Sequence, residues 1–346
     1  MPISAGALTE LGKTAIEHYL KAKPIDQVAT ERPLMKALMA GKRDFDGAKQ
    51  YVVEQLRMRY SSNFQWYYGA GTVNYNTRNT VEQAQYAWCS AHDGLSLDED
   101  RLAAHGISVS DDSQAVTSAS EKVALTNLFD EQMEVLRLGF EEKFSAYLHL
   151  DGSTSTDAIV GLDQLVDLAP TTGLVGGLNR ATFTAWRNNA ATGLTSGSAG
   201  TILDKMEEQW RLCRKNGGNP NKLIAGGAFL DAYRTTVEAK GQRWIDASKS
   251  DKRDGSSSGI YFKGMEIEYC PEFDDDFGGL GAGGNWTKRC YMLDTSKIKL
   301  RPMKGQNMKV RKPPRAYNSY VYYWALTWKG AMTMNQANAH SVCAIA

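Results

Sequence analysis

The sequence contains no CxxC, and its five cysteines, Cys89, Cys213, Cys270, Cys290 and Cys343, never come closer than twenty residues. Neither a zinc ribbon nor a thioredoxin-like redox pair is written in it; the odd, scattered set fits reduced, mostly buried thiols or a single disulfide. An excess of charge of one sign is also missing. Forty Lys+Arg stand against 39 Asp+Glu, a net charge of +1. That balance argues against a dedicated nucleic-acid binder and against a disordered acidic tail, although it permits local patches. Long apolar runs are absent too: the longest uncharged one, Tyr320–Trp328, is far too short to cross a bilayer. Met1–Ala15 has no apolar stretch of signal-peptide type, so synthesis and retention in the cytoplasm are expected, with no membrane partner. No repeat with a period of roughly 20 to 50 residues occurs.

Catalytic and ligand motifs are equally sparse. Gly12-Lys13-Thr14 looks like the end of a phosphate-binding loop, but five residues separate Gly6 from Gly12 where that loop needs four. No strand precedes it. The histidines His18, His92, His105, His149 and His340 include no HExxH and no pair at ligand spacing, and no GxSxG elbow accompanies them. They read as surface or interface residues. Asp274-Asp275-Asp276 after Glu272 could gather a hard cation, yet the twelfth position counted from Asp274 is Asn285 rather than glutamate, so a solvated acidic loop is the expectation. No catalytic residue, cofactor or metal is assigned.

What the chain does have is 346 residues with 42% hydrophobic content, enough for one to three domains with a sizeable core. Residues 1–56 are polar and helix-permissive, broken by Pro24, Pro33 and Gly41; Leu34, Leu38, Val52 and Leu56 give only one-turn apolar faces. They read as an arm that docks on something else. Residues 57–97 turn strand-like, with Phe64, Trp66, Tyr67, Tyr68, Val73 and Tyr75 alternating loosely and Gly69 and Gly71 as bend points. A two-stranded ribbon is marginal alone, so it should lean on another surface.

The strongest helical pattern spans Ser113–Leu150. Leu125, Phe129, Met133, Leu136, Phe140, Phe144 and Tyr147 recur at three- and four-residue steps, and Asp151-Gly152 ends the run. Beyond it, Ala158–Ala169 reads as an edge strand and turn, Ile202–Asn216 and Ala228–Ala239 as helices, and Leu223–Ala225 and Ile260–Tyr269 as strands, an alternation that suggests a compact α+β domain. The tail has strand patterns at Cys290–Leu293, Ile298–Leu300, Tyr317–Trp328 and Ser341–Ile345, separated by Pro302, Gly305 and Gly330.

Two blocks of opposite charge hide inside the neutral total. Asp93–Glu134 holds ten acids and two bases, and Lys297–Arg315 holds eight bases and no acid. Neutralisation within the chain, contact between different subunits, and contact of the basic block with nucleic acid all remain open. The nearby Tyr317, Tyr320, Tyr322, Tyr323 and Trp324 fit a strand core better than base-stacking platforms.

The order of parts resembles the major capsid proteins of tailed bacteriophages, the Hong Kong 97-type fold. The resemblance rests on the long helix closing in Tyr147-Leu148-His149-Leu150-Asp151-Gly152, on Gly177-Leu178-Asn179-Arg180 followed by Trp186-Arg187, and on Pro220-Asn221-Lys222-Leu223-Ile224-Ala225. Phe262-Lys263-Gly264-Met265-Glu266-Ile267, Pro271-Glu272-Phe273-Asp274 and Tyr291-Met292-Leu293-Asp294 continue it. The implied fold class is α+β, with an N-terminal arm (1–56), an extended β-hairpin loop (57–97), a peripheral domain with a long spine helix (98–152 and 286–346, helix 113–150) and an axial α+β domain (153–285).

The resemblance further implies self-assembly through hexamers and pentamers into an icosahedral virion shell around packaged double-stranded DNA. Assembly would take place in the host bacterial cytoplasm, with portal, scaffolding or decoration proteins as further partners. Trp66, Tyr67, Arg78, Arg311 and Lys312 are the candidate inter-subunit contacts. An α+β enzyme with its site in 153–285, or a DNA-binding protein using the basic tail, are the competing readings. Some members of the resembled family join a lysine of the extended loop to a neighbour's asparagine, but Ser61–Ser108 contains no lysine. Denaturing gels of mature particles should therefore show monomer-sized protein; ladders of covalent multimers would overturn that expectation.

Overall fold

A computed structural model describes residues 30–47, 50–98, Asp100, 119–240, 260–281, 284–313 and 321–346, and the side chains of its longest helix from Glu131 onward. Gly12-Lys13-Thr14, His18, His105, Arg315, Tyr317, Tyr320 and most of the acidic block lie outside the described residues. In chain order the elements begin with α1 (Pro33–Ala40), β1 (Tyr51–Arg57), β2 (Val81–Ala87), β3 (Cys89–Asp98) and α2 (Ala119–His149). Then come α3 (Leu162–Leu165), β4 (Leu174–Val175), β5 (Leu178–Asn179), β6 (Asn189–Leu194), α4 (Ile202–Lys215), β7 (Lys222–Ala225) and α5 (Gly227–Ala239). The last are β8 (Tyr261–Phe262), β9 (Met265–Tyr269), α6 (Pro271–Asp274), β10 (Arg289–Leu293), β11 (Ile298–Pro302), β12 (Lys309–Arg311), β13 (Val321–Met334) and β14 (Ser341–Ile345).

Two compact units emerge: one takes the described residues of 90–144 and 305–329, the other those of 30–89, 145–304 and 330–346. In the first, α2 buries Leu136, Phe140 and Phe144 at four-residue steps, the stripe that the sequence pattern predicts. The Phe140 and Phe144 rings stack at 5.8 Å, and Phe144 meets Trp328 of β13 at 4.7 Å. On the open side of the helix Arg137 pairs with Glu141 one turn on. Strand β12 pairs antiparallel with β13, Lys309 opposite Thr327 and Arg311 opposite Ala325, and β3 pairs with β13 as well. The expected ribbon over 57–97 thus divides, since β3 joins this sheet.

The second unit is organised by a six-stranded mixed sheet in the order β6-β14-β10-β7-β9-β8. Its β6–β14 and β7–β9 pairs are parallel, and β14–β10, β10–β7 and β9–β8 are antiparallel. One face carries α4 and α5, whose Ile202, Met206, Phe229 and Tyr233 pack with Leu223, Ile267, Met292 and Cys343 of the strands. Both helices match their predicted spans to within a residue at each end, because each has one apolar stripe followed by a stop: Asn216 with Gly217-Gly218, and Lys240. Ile260–Tyr269 proves to be a tight hairpin rather than one strand, turning at Lys263-Gly264, both with positive φ.

Several expectations change. Ala158–Ala169 holds the short helix α3 in place of an edge strand. A Cβ at Gly161 would lie 2.1 Å from the Leu150 carbonyl oxygen and 2.7 Å from that of Tyr147. The segment passes so close to the end of α2 that only glycine fits. Helix α1 of the expected arm packs on its own chain: Leu34, Met35 and Leu38 are buried against β11, and the chain beyond follows that strand through Arg43 N–H to Leu300 O (3.0 Å) and Phe45 N–H to Pro302 O (3.0 Å). Val52 and Leu56 lie on one face of strand β1 instead of a helix. Strand β13 also runs on past Gly330, expected as a break, and pairs Met334 to Gly330 with Ile298 to Pro302.

His149 and His340 are fully buried, contrary to the surface reading. The Nδ1 of His340 accepts from the Asp294 N–H at 3.2 Å, and burial pushes its pKa down to about 4 against an opposing pull from Asp294, with Lys297 lowering it further. The folded chain keeps this ring neutral down to that pH, while an unfolded chain protonates it near 6.5. Stability is therefore unaffected above about pH 6.5 and lost as pH falls toward 4, by on the order of 3 kcal/mol. Thermal unfolding of the subunit should show this slope, and His340→Asn, whose amide oxygen can replace the acceptor, should remove this histidine's share of it while leaving that of His149, whose pKa burial also lowers to about 4.

Candidate functional site

Strands β1 and β2 form an antiparallel ladder from Tyr51 opposite Ala87 to Arg57 opposite Val81. Alternation makes one face apolar and buried, with Val52, Leu56, Ala84 and Tyr86, while Tyr51, Val53 and Val81 face outward. Four contacts within the second unit fix this base. The Tyr86 hydroxyl donates to the Met334 carbonyl at 2.9 Å, and Gln85 N–H to that of Gly176 at 2.9 Å. Arg301 Nη1 pairs with Glu54 Oε1 at 2.8 Å, and the Thr333 hydroxyl reaches the same carboxylate at 3.5 Å. Burial pushes the Tyr86 phenol well above its ordinary pKa, so it remains a donor.

Beyond Arg57 the ladder stops, but the two arms stay together. Met58 N–H donates to Thr80 O (3.1 Å), Arg59 Nε to Asn79 O (3.0 Å), and Asn63 Nδ2 to Asn74 O. The tip turns at Gly69, whose φ of 57° lies in the left-handed region. Aromatic side chains crowd this loop and find almost nothing to cover them. Trp66 is 91% exposed, Tyr68 98% and Tyr75 93%, and Tyr60, Phe64 and Tyr67 are mostly exposed as well. A single edge-on contact joins Phe64 to Trp66, with ring centroids 5.3 Å apart. Arg59 and Arg78 are the charged residues of 58–80, and no acid lies there. Such a loop is not the strand-rich ribbon that the pattern suggests; it is an anchored base carrying a bare aromatic tip. Contiguous exposed rings on this scale mark an interaction site.

Arg311 and Lys312 belong to the other unit. Arg311 lies on β12, exposed, with Nε donating to Thr327 Oγ1 at 2.9 Å and Nη2 to Gln306 Oε1 at 2.8 Å; Lys312 follows it and is exposed too. The basic block as a whole is divided. Arg301 is paired with Glu54 and Lys304 lies 3.8 Å from Asp46, so part of the block is neutralised within the chain. The strand beyond holds Tyr322 and Trp324 half-buried, Tyr323 partly exposed, and Ala325–Trp328 buried, in keeping with a strand core.

The other polar clusters of 153–285 have structural partners. Asp274, expected in a solvated acidic loop, accepts from the Gly227 N–H at the start of α5 (3.0 Å) and from the Tyr269 hydroxyl (2.6 Å), which raises the Tyr269 pKa to about 12. It acts as a helix cap supplied from another segment. Arg180 of the Gly177–Arg180 turn is buried; its Nη2 donates to Leu165 O at 2.7 Å and its Nη1 lies 3.7 Å from Asp167. Trp186 Nε1 donates to Val175 O at 3.1 Å beside it. Sequence reading identified the aromatic loop but missed these caps, which join residues far apart in the chain.

Exposure and anchoring predict opposite sensitivities. Trp66→Ala or Tyr68→Ala should change subunit stability by no more than about 0.5 kcal/mol, as surface substitutions do. Tyr86→Phe should cost about 1–3 kcal/mol by leaving the buried Met334 carbonyl without its donor. Denaturant unfolding of the three variants checks the contrast.

The sequence matches no family model and no curated protein sequence. Solved structures do match. A cyanophage A-1(L) capsid subunit superposes with a TM-score of 0.64 at 14% identity, covering 94% of this chain and 96% of that one. The capsid of a native GTA particle gives 0.56 at 10% identity over 94% of each chain. The capsid of Myoviridae phage XM1 gives 0.54 at 10% identity over 95% and 97%. Coverage of nearly the full length on both sides makes the fold of this chain the Hong Kong 97-type fold of tailed-phage capsid subunits.

Proposed function

We propose that this chain is a major capsid protein of a tailed bacteriophage, which assembles through hexamers and pentamers into an icosahedral shell enclosing packaged double-stranded DNA. The observation that carries this reading is the full-length likeness to capsid subunits, with 94% of this chain matched to 96% of the cyanophage subunit. The unit containing the six-stranded sheet supplies the axial domain, and the unit containing most of α2 supplies the peripheral one. The loop over 58–80 reaches to a neighbouring subunit. Physical chemistry supports that role: six rings exposed on a firmly held base gain roughly 2 kcal/mol for each ring buried, and a second subunit provides the surface.

In this reading Trp66 and Tyr67 pack against the neighbour and Arg78 meets its acidic or carbonyl groups. Arg311, on an exposed edge strand, and Lys312, which follows it, meet the acidic stretch within Asp93–Glu134 of another copy. DNA is contacted without sequence preference, and portal, scaffolding or decoration proteins join where the shell requires them. The particle is the site of residence, and the host cytoplasm is the site of assembly.

Electron microscopy and light scattering of the purified protein test the proposal. Shells tens of nanometres across are expected; small defined oligomers would favour an enzyme, and DNA-dependent complexes a nucleic-acid binder. Replacing Arg311 and Lys312 together by glutamate should abolish shells while subunit unfolding stays cooperative, and normal shells from that variant would remove both residues from the interface.

A further inference from the structure

The last turn of α2 and the β9–α6 turn bring an imidazole, a thiol and a carboxylate together inside the second unit. His149, Cys270 and Glu272 are all buried, and each offers one ligand atom within 4.8 Å of the other two. We propose that these three side chains form a binding site for one zinc-like divalent cation, unrelated to the inter-subunit surface. It would tie the end of the long helix to the turn that leads into the aromatic cluster.

The donor geometry is the first reason. His149 Nδ1 lies 3.7 Å from Glu272 Oε2, and Cys270 Sγ lies 3.9 Å from the same oxygen. In a tetrahedral zinc site with ordinary bond lengths, the corresponding edges are about 3.3 Å for N···O and about 3.5 Å for S···O. These two edges stand about 0.4 Å wider than a filled site requires, and the remaining edge, between His149 and Cys270, is no longer than 4.8 Å. The mixed N, S and O donor set suits zinc rather than calcium or magnesium, which take oxygen ligands.

The second reason is what the cluster leaves unsatisfied. The His149 ring has no solvent exposure, and while Nδ1 bonds the Ser145 carbonyl at 2.9 Å, Nε2 has no hydrogen-bond partner among the described residues. An imidazole packed between Phe273 and Phe277, with centroids 5.2 and 5.1 Å away, is an unfavourable place for a bare polar atom. Coordination through Nδ1 displaces its contact with the Ser145 carbonyl and moves the ring proton to Nε2, which then lies among the Phe273 and Phe277 rings as an N–H, better suited to aromatic neighbours than a bare lone pair. Ser145, whose hydroxyl donates to Glu272 Oε2 at 2.8 Å, then orients the carboxylate from outside the ligand set.

Charge balances. A divalent ion takes the thiolate of Cys270 and the carboxylate of Glu272 as its two anions, with the neutral imidazole as third ligand; binding releases the thiol proton to solvent. The neighbouring charges are Arg32, whose Nε lies 3.6 Å from Glu272 Oε1, and Asp274, which acts on Cys270. Arg32 keeps its contact with the far carboxylate oxygen while Oε2 binds the ion. Asp274 is held by Gly227 and Tyr269. No motif spacing announces the set, because Cys270 and Glu272 are local but His149 arrives from another part of the chain.

The full-length protein is stripped with a chelator, incubated with excess zinc sulfate and freed of unbound metal by gel filtration. About one zinc per chain is expected by elemental analysis, and cobalt(II) in its place should give a thiolate-to-metal charge-transfer band in the near ultraviolet. Cys270→Ser should remove the band and weaken zinc binding roughly tenfold or more, whereas Cys213→Ser, which changes a buried thiol outside the cluster, should do neither. X-ray absorption of the zinc-loaded wild-type protein should show one sulfur ligand, which decides the matter even if Cys270→Ser misfolds. Wild-type protein that retains no zinc, or binds it with no sulfur ligand, would overturn the proposal and leave the cluster a hydrogen-bond network.

Discussion

Strand β10 sits in the middle of its sheet and is buried at every position from Arg289 to Leu293. A strand with no solvent face must have both faces covered and all its backbone groups paired, and much of the second unit is arranged to meet that demand. Its backbone pairs with β14 on one side and β7 on the other. One face, through Cys290 and Met292, joins the core under α4 and α5. The other presents Arg289 and Tyr291. Arg289 reaches Asp163 at 2.7 Å and the Gly284 carbonyl at 2.7 Å, and its guanidinium lies over the Trp286 ring at 4.1 Å. A buried arginine with a carboxylate, a carbonyl and a ring around it is tolerated; one lacking the carboxylate would strand a charge.

The same logic explains why the ribbon has two characters. At its base, Tyr86 and Glu54 are tied to residues near the end of the chain, so the ladder has a fixed foundation. Toward its tip the chain keeps cross-arm and local turn hydrogen bonds and places its aromatic rings in water. Burial of those rings within the subunit would need a surface that the loop, carrying just two charges and many small polar residues, does not provide. A firm base with a bare tip suits a part whose apolar contacts come from another molecule, since the loop's direction is set before the contact forms.

Periodic elements were legible from sequence because each carries its own signal. The stripe Leu136, Phe140, Phe144, the α4 and α5 helices with their stops, and the short apolar strands β7, β10 and β14 all follow from spacing alone. Less local features were not. Helix α1 looked like part of a free arm because its few apolar residues reveal nothing of β11, more than 250 positions away. Ala158–Ala169 looked like a strand because the approach of Gly161 to the end of α2 is a tertiary fact. His149 and His340 looked like surface residues because nothing in their neighbours' identities shows how completely the chain closes around them. The aromatic loop was found from composition, but its exposure was not.

By itself, the sequence determined the kind and order of the strongly periodic elements, since helix and strand periods and turn residues act over a few positions and need no partner. It also determined the neutral total charge, the absence of lysine from Ser61–Ser108, and the excess of aromatic rings over apolar company around residue 66. Tertiary structure alone decided which of those rings stay bare, which acids cap or pair within the chain, and which donors meet at His149, Cys270 and Glu272. Burial and pairing are properties of surfaces brought together from distant segments, and their free energies depend on distances that a linear pattern does not contain.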